Sequence, residues 1–128
     1  MRDDTRQWVS KAEGDFHVAE RELLVTDQPS YDAICFHAQQ CSEKYLKAFL
    51  SEKGVPFPPT HLLVDLLILC LPIDPDLEML RKDLEDLTVY GVRVRYPGFD
   101  ATLPAAQQAI ASCARIRSVL RNKLGLSQ

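Results

Sequence analysis

The chain has 128 residues, with 15 Lys and Arg against 18 Asp and Glu for a formal net charge of -3, and 46% of its residues are hydrophobic. That length suits one domain spanning residues 1–128 and excludes a catalytic domain joined to a second one. A charged fraction of 26%, spread without blocks, excludes wholesale disorder. The longest apolar stretch, Leu62 to Ile73, is interrupted by Asp65 and Pro72 and is shorter than the roughly 18 to 20 residues that cross a bilayer. No membrane span is expected. The start, Met1 to Gln7, is acidic and polar where a secretory leader needs a basic end and an apolar run, so a cytoplasmic location is expected. Cys35, Cys41, Cys70 and Cys113 form no C-x-x-C pair and have no His at zinc-ligand spacing. They read as reduced, small core residues, and neither a metal nor a cofactor is expected.

Apolar residues recur at helical spacing throughout. Asp4 is placed to cap a first helix running to about Val25, with Trp8, Ala12, Phe16, Ala19 and Leu23 on one face. Thr26 to Ser30 closes it. A second helix is predicted from Tyr31 to Lys53, its inner stripe formed by Ile34, Ala38, Cys41, Tyr45 and Ala48. Cys35, Ser42, Leu46 and Phe49 widen that stripe to nearly half the circumference, which suits the central helix of a bundle. Gly54 ends it in a left-handed cap. After Pro56, Pro58 and Pro59, Thr60 is the predicted cap of a short Leu-rich helix from His61 to Leu71. Asp74 and Pro75 open a fourth helix carrying Leu77, Leu80, Leu84, Leu87, Gly91 and Val94 inward, stopped by Pro97-Gly98. Asp100 or Thr102, with Pro104, begins the last helix, whose inner residues are Ala106, Ala109, Cys113, Ile116, Leu120 and Leu124. The expected fold is all-α: an up-and-down antiparallel bundle of four long helices and one short one.

Familiar catalytic signatures are missing. Glu13 and His17 form a single pair where a di-iron bundle needs two Glu-x-x-His pairs. No phosphate loop, dinucleotide fingerprint or nucleophile elbow is present. Three polar groupings bear on partners. The last helix carries Arg115, Arg117, Arg121 and Lys123 and no acid beyond Asp100; these cations either complement the carbonyl end of the helix or form an electrostatic footprint. On the second helix, His37, Gln40, Lys44 and Lys47 stack at steps of three, four and three. This edge either meets an anion or lays lysine stems over the core rim. Glu43 points about 100° away from Lys44 and is a poor neutraliser of it. Tyr90, Arg93, Arg95, Tyr96 and Pro97 gather where the fourth helix ends. Arginine grips phosphate through two parallel donors and an aromatic face stacks on a base, so this cluster suits nucleotide or RNA contacts; helix capping is the alternative.

The run Phe36-His37-Ala38-Gln39-Gln40-Cys41-Ser42-Glu43-Lys44-Tyr45-Leu46-Lys47-Ala48, then Thr60-His61-x-Leu63, then Tyr90 and Arg95-Tyr96-Pro97, resembles the HEPN domain family. The likeness covers essentially the whole chain. It implies a helical bundle that dimerises and pairs with a minimal nucleotidyltransferase, in some cases as a ribonuclease toxin with its antitoxin, and it implies nucleotide binding. Family ribonucleases resemble one another in an R-x4-6-H motif whose Arg and His meet on the RNA backbone. Here no Arg precedes His17, His37 or His61 at that spacing, and after Arg93 and Arg95 the matching places hold Gly98 to Thr102.

The leading expectation is therefore a homodimeric partner of a minimal nucleotidyltransferase in a toxin–antitoxin-like module. Its ligand is a nucleotide or RNA phosphate, bound by Lys44, Lys47, Tyr90, Arg93, Arg95 and Tyr96. Two alternatives stand beside it. One is a ribonuclease toxin in which His37, His61 or Tyr96 takes over proton transfer. The other is a bundle that serves only protein interaction.

Overall fold

The computed structural model describes residues 1–128, all helix, turn or irregular, with no strand. Helix α1 spans Asp3–Leu23, α2 Tyr31–Glu52, α3 Leu63–Cys70, α4 Arg81–Thr88 and α5 Leu103–Lys123. The expected all-α bundle is present. Helix α2 is its centre, packing against α1, α3, α4 and α5.

Side-chain pairs give the directions. Arg2 bonds Glu52 while Asp15 bonds His37, so α1 and α2 run antiparallel. Lys123 meets Asp74 while Arg115 meets Asp83, so α4 and α5 are also antiparallel. Asp32 accepts from Ala101 and Arg121 donates to Tyr45, which makes α2 and α5 parallel. They are the diagonal pair of the bundle, yet they pack extensively on one another. Small buried residues permit this approach: Ala38 and Cys41 on α2, and Ala106, Ala109 and Cys113 on α5, present little bulk beyond the backbone. Around them Tyr45, Phe49, Leu50, Leu66, Leu84 and Leu87 complete a 24-residue apolar core. All four cysteines are free and buried.

Local signals place most of the boundaries. Asp74 accepts from the Asp76 amide with Pro75 in the first turn, and Thr102 accepts from the Ala105 amide with Pro104 behind it. Gly54 closes α2 at φ +68, a conformation costly for any residue with a Cβ. Two starts differ from the sequence expectation. α1 begins two residues early, at Asp3 rather than after a cap at Asp4, and has no side-chain cap. Thr60 accepts from the Leu62 amide in a local turn, and α3 starts only at Leu63.

The fourth segment departs most from its periodicity. Pro75–Leu80 is a 3₁₀ turn, only Arg81–Thr88 is α-helical, and Val89–Gly91 and Arg93–Arg95 are further 3₁₀ turns. β-branched Val89, Val92 and Val94 favour the helix weakly, and Thr88 bonds the Leu84 carbonyl. Val92 itself, at φ -125 and ψ -52, breaks the ladder.

One ionic cluster pins α1, α2 and α5 together. Arg117 grips both Glu13 oxygens at 2.6 and 2.7 Å, the Tyr45 hydroxyl donates to the same carboxylate, and Arg121 donates to Tyr45 at 2.9 Å. Burial pushes the Glu13 carboxyl up, but the Arg117 and Tyr45 hydrogen bonds and the charges of Arg117 and Arg121 outweigh it and hold the group at about 2. A carboxyl lowered from 4.5 contributes fully above about pH 4.5, and that contribution drains away as pH falls toward about 2. Glu13→Gln is therefore expected to cost about 2 kcal/mol at neutral pH. Urea unfolding checks this: between about pH 5 and about pH 3 the variant loses less stability than the wild type.

Candidate functional site

Two polar systems lie side by side along α2. In one, buried Asp15 of α1 sits between two α2 side chains: its Oδ1 is 2.7 Å from His37 Nδ1 and its Oδ2 accepts from Lys44 Nζ at 2.6 Å. In the other, buried Glu43 accepts from Lys47 at 3.0 Å and lies 2.9 Å from His61 Nδ1. Lys47 is itself buried, its ammonium over the rings of Trp8 and Phe57 at 5.4 and 5.8 Å. Burial raises the Glu43 carboxyl, but the His61 and Lys47 hydrogen bonds and the Lys47 charge bring it below its ordinary value. Gln39 joins this second system. Fully buried, it donates to Glu43 and to the His61 carbonyl, both at 3.3 Å, and accepts from Gln40 at 2.7 Å.

The stripe of His37, Gln40, Lys44 and Lys47 is thus divided. Lys44 and Lys47 are each engaged by a carboxylate, and Gln40 is engaged by Gln39. The cations of α5 are engaged likewise: Arg115 by Asp83, Arg117 and Arg121 by Glu13, and Lys123 by Asp74. Their partners are acids from α1, α4 and the turn before α4 rather than the carbonyl end of α5. Among the arginines, Arg21, Arg93 and Arg95 make no ion pair, and two of these three stand in one turn.

That turn lies over α2. Arg95 places its guanidinium 5.0 Å from the centre of the Phe36 ring, and Tyr96 is 63% exposed beside it. Arg93 is exposed and has no side-chain partner. Tyr90 faces inward, its ring 6.1 Å from Phe99 and its hydroxyl against the Cys35 thiol. Burial first, and then the neighbouring Cys35 and Asp86 charges, raise the Tyr90 phenol above its ordinary value. Between the turn and α2 lies a cleft of about 280 Å³, lined by Asp32, Ala33, Phe36, His37, Val94 and Arg95.

Of the residues singled out from the sequence, His37 and Arg95 therefore share this cleft. Arg93 and Tyr96 stand on the same turn outside it, Tyr90 supports it from within, and His61, Lys44 and Lys47 belong to the two carboxylate systems. Sequence reasoning missed Phe36, which carries Arg95, and Asp15, which orients His37. Asp15 left a signal: a carboxylate on the apolar stripe of α1, between Ala12 and Ala19, needs an internal counter-charge. No three His, Cys, Asp or Glu side chains converge in the manner of a metal site.

The profile of the HEPN domain family matches residues 5–123. The chain belongs to the HEPN domain family. Among solved structures, TT1696 from Thermus thermophilus superposes with a TM-score of 0.82 at 25% identity, over 95% of this chain and 99% of that one. The archaeal HEPN homologue ST0689 superposes with a TM-score of 0.75 at 23% identity, over 93% and 96%, and shows the shared fold. No curated protein matches the chain. No helix of this HEPN domain is long and apolar enough to cross a membrane.

Gly91 lets the turn settle on α2. A Cβ there would lie 3.1 Å from Nε2 and 3.2 Å from Cδ of Gln39, whose amide is bonded on both sides and buried. Gly91→Ala is expected to cost about 1 to 2 kcal/mol. In a double-mutant cycle read by urea unfolding, Gln39→Ala relieves part of that cost, with a coupling of at least about 0.5 kcal/mol.

Proposed function

We propose that this HEPN protein acts as a homodimeric partner of a minimal nucleotidyltransferase, in a toxin–antitoxin-like module, and takes a nucleotide or RNA phosphate in the cleft between α2 and the arginine turn. The observation that carries the ligand reading is Arg95, whose guanidinium stands 5.0 Å from the centre of the Phe36 ring at the cleft wall with no carboxylate partner. A planar cation free of internal pairing keeps its full donor set for phosphate, and the adjoining ring offers a stacking face for a base. Arg93 and Tyr96, exposed on the same turn, extend the surface a longer ligand would meet. Family membership supports the partner reading.

Isothermal titration at low salt with nucleotides and short RNA tests the ligand. The wild type is expected to bind and Arg95→Ala to bind at least about tenfold more weakly, the loss of one charge-assisted contact pair. Absence of binding by the wild type would remove the ligand reading.

A ribonuclease reading is favoured by one observation: the His37 imidazole lines the same cleft as Arg95. On this reading, expression of the protein alone arrests growth, and either Arg95→Ala or co-expression of the nucleotidyltransferase relieves the arrest. Unimpaired growth on expression alone counts against it.

A further inference from the structure

Helix α5 carries alanine where a solvent-facing helix ordinarily carries charge. Ala111 and Ala114 are exposed on it, and with Ile110 they face Phe16 and Leu23 of α1 across a recess of about 310 Å³. Phe16 also carries the Arg117 guanidinium 4.6 Å from its ring centre, and Glu13 grips that cation, so the charges below the recess are already paired. At the rim stands Leu24, the C-cap of α1, 79% exposed. Glu20 is the one charged residue that lines the recess. A small polar ligand finds little to hold here. The volume is at the lower end of the roughly 300 to 1,000 Å³ of ligand pockets, and one carboxylate is no converging set of polar groups. Recess and rim together suit the apolar side chains of another protein surface.

Two copies that meet about a two-fold axis bring the same surface to both sides, so that surface has to contain its own complement. This one does so twice. Leu24 projects directly beside a hollow. Glu20 and Arg21, one turn before Leu24, are an exposed anion and an exposed cation: Glu20 meets only the His17 ring, at 3.7 Å, and Arg21 makes no ion pair. An axis crossing α1 between Glu20 and Leu24 sets the helix antiparallel to its copy. That exchange sends each Leu24 toward the facing recess and each Glu20 toward the facing Arg21. An unrelated apolar partner would use the leucine and the recess alone; a second copy also matches the two unpaired charges to one another. The size is adequate as well. α1 and α5, 21 residues each, are about 30 Å long and about 10 Å wide, and their joint face of about 600 Å² approaches the roughly 800 Å² that each partner gives to a stable contact.

From this self-complementarity we propose that the α1–α5 recess is the face on which two copies of this chain pair, with Leu24 of each copy seated in the recess of the other and Glu20 of each set against Arg21 of the other. This rests on the homodimer reading and gives it a surface. The recess shares no lining residue with the Arg95 cleft, so substitutions here leave the side chains of the cleft in place.

Sedimentation equilibrium of the full chain is the test, and the wild type is expected to be a dimer at micromolar concentration. Leu24→Asp and, separately, Ala114→Glu change exposed side chains, so circular dichroism is expected to show native helix content in both. Their dimer dissociation constants rise at least about a hundredfold, because a two-fold contact loses the substituted site twice. Glu20→Arg and Arg21→Glu each weaken the dimer about tenfold by setting like charges against one another, and the double exchange restores it to within about threefold of the wild type. The charge exchange leaves the apolar packing untouched and decides the matter if either apolar variant misfolds. A dimer that keeps its wild-type constant in Leu24→Asp and Ala114→Glu overturns the proposal, leaves the recess to another occupant and lets the homodimer reading stand. A double exchange that dimerises no better than the single reversals overturns the two-fold arrangement. A wild type that stays monomeric overturns the homodimer reading together with it.

Discussion

Helix α2 is enclosed by four neighbours, so the lysines and the glutamate on its buried faces find their counter-charges inside the fold. Removing a charge from water costs several kcal/mol unless a partner and hydrogen bonds replace the lost solvation. Asp15 serves His37 and Lys44, Glu43 serves Lys47 and His61, and Glu13 takes Arg117, Arg121 and the Tyr45 hydroxyl. With Asp83 on Arg115, this accounting engages the lysines of α2 and the arginines of α5. Of the arginines it leaves over, Arg93 and Arg95 stand together beyond the last α-helical turn of α4 and pair with none of these carboxylates.

α2 and α5 pack on one another through small side chains. After α4 the chain bends over α2 through two 3₁₀ turns on either side of Val92, where the local backbone leaves the helical ladder. Gly91 sits over Gln39, where a methyl group would press on the bonded amide at 3.1 Å. The same bend brings Arg95 over Phe36. An uninterrupted helix through residue 94 would carry the arginine on a straight course instead of folding it back onto α2.

The Glu43 system reaches the turn after α4 through Gln39. Its amide bonds the backbone of His61 on one side and lies against Gly91 on the other. The segment before α3 and the Val89–Gly91 turn after α4 thus meet at one buried side chain. A polar group so placed stabilises only when all its bonds are made, so the neighbourhood tolerates little displacement. That rigidity suits a binding surface whose donors must be held in place before the ligand arrives.

Much of the architecture was legible without coordinates because its causes are local. Asp74 with Pro75, Thr102 with Pro104, and Gly54 each act within a few residues, and the 3.6-residue recurrence of apolar positions marks α1, α2 and α5 wherever they pack. The family likeness could likewise be read from short runs such as residues 36–48 and 95–97. The pairing of charges could not, because its partners are far apart in the chain: Glu13 and Arg117 are separated by 104 residues, and Asp15 and Lys44 by 29. Glu43, set aside as a neutraliser of Lys44, pairs instead with Lys47 one turn on. Helical spacing tells which face a residue occupies, but the counter-charge facing it is supplied by another helix. Sequence alone therefore determined α1, α2, α5 and the family, through interactions a few residues long; tertiary packing decided how the fourth segment breaks and which cations remain free, because desolvation makes every enclosed charge take the nearest opposite one.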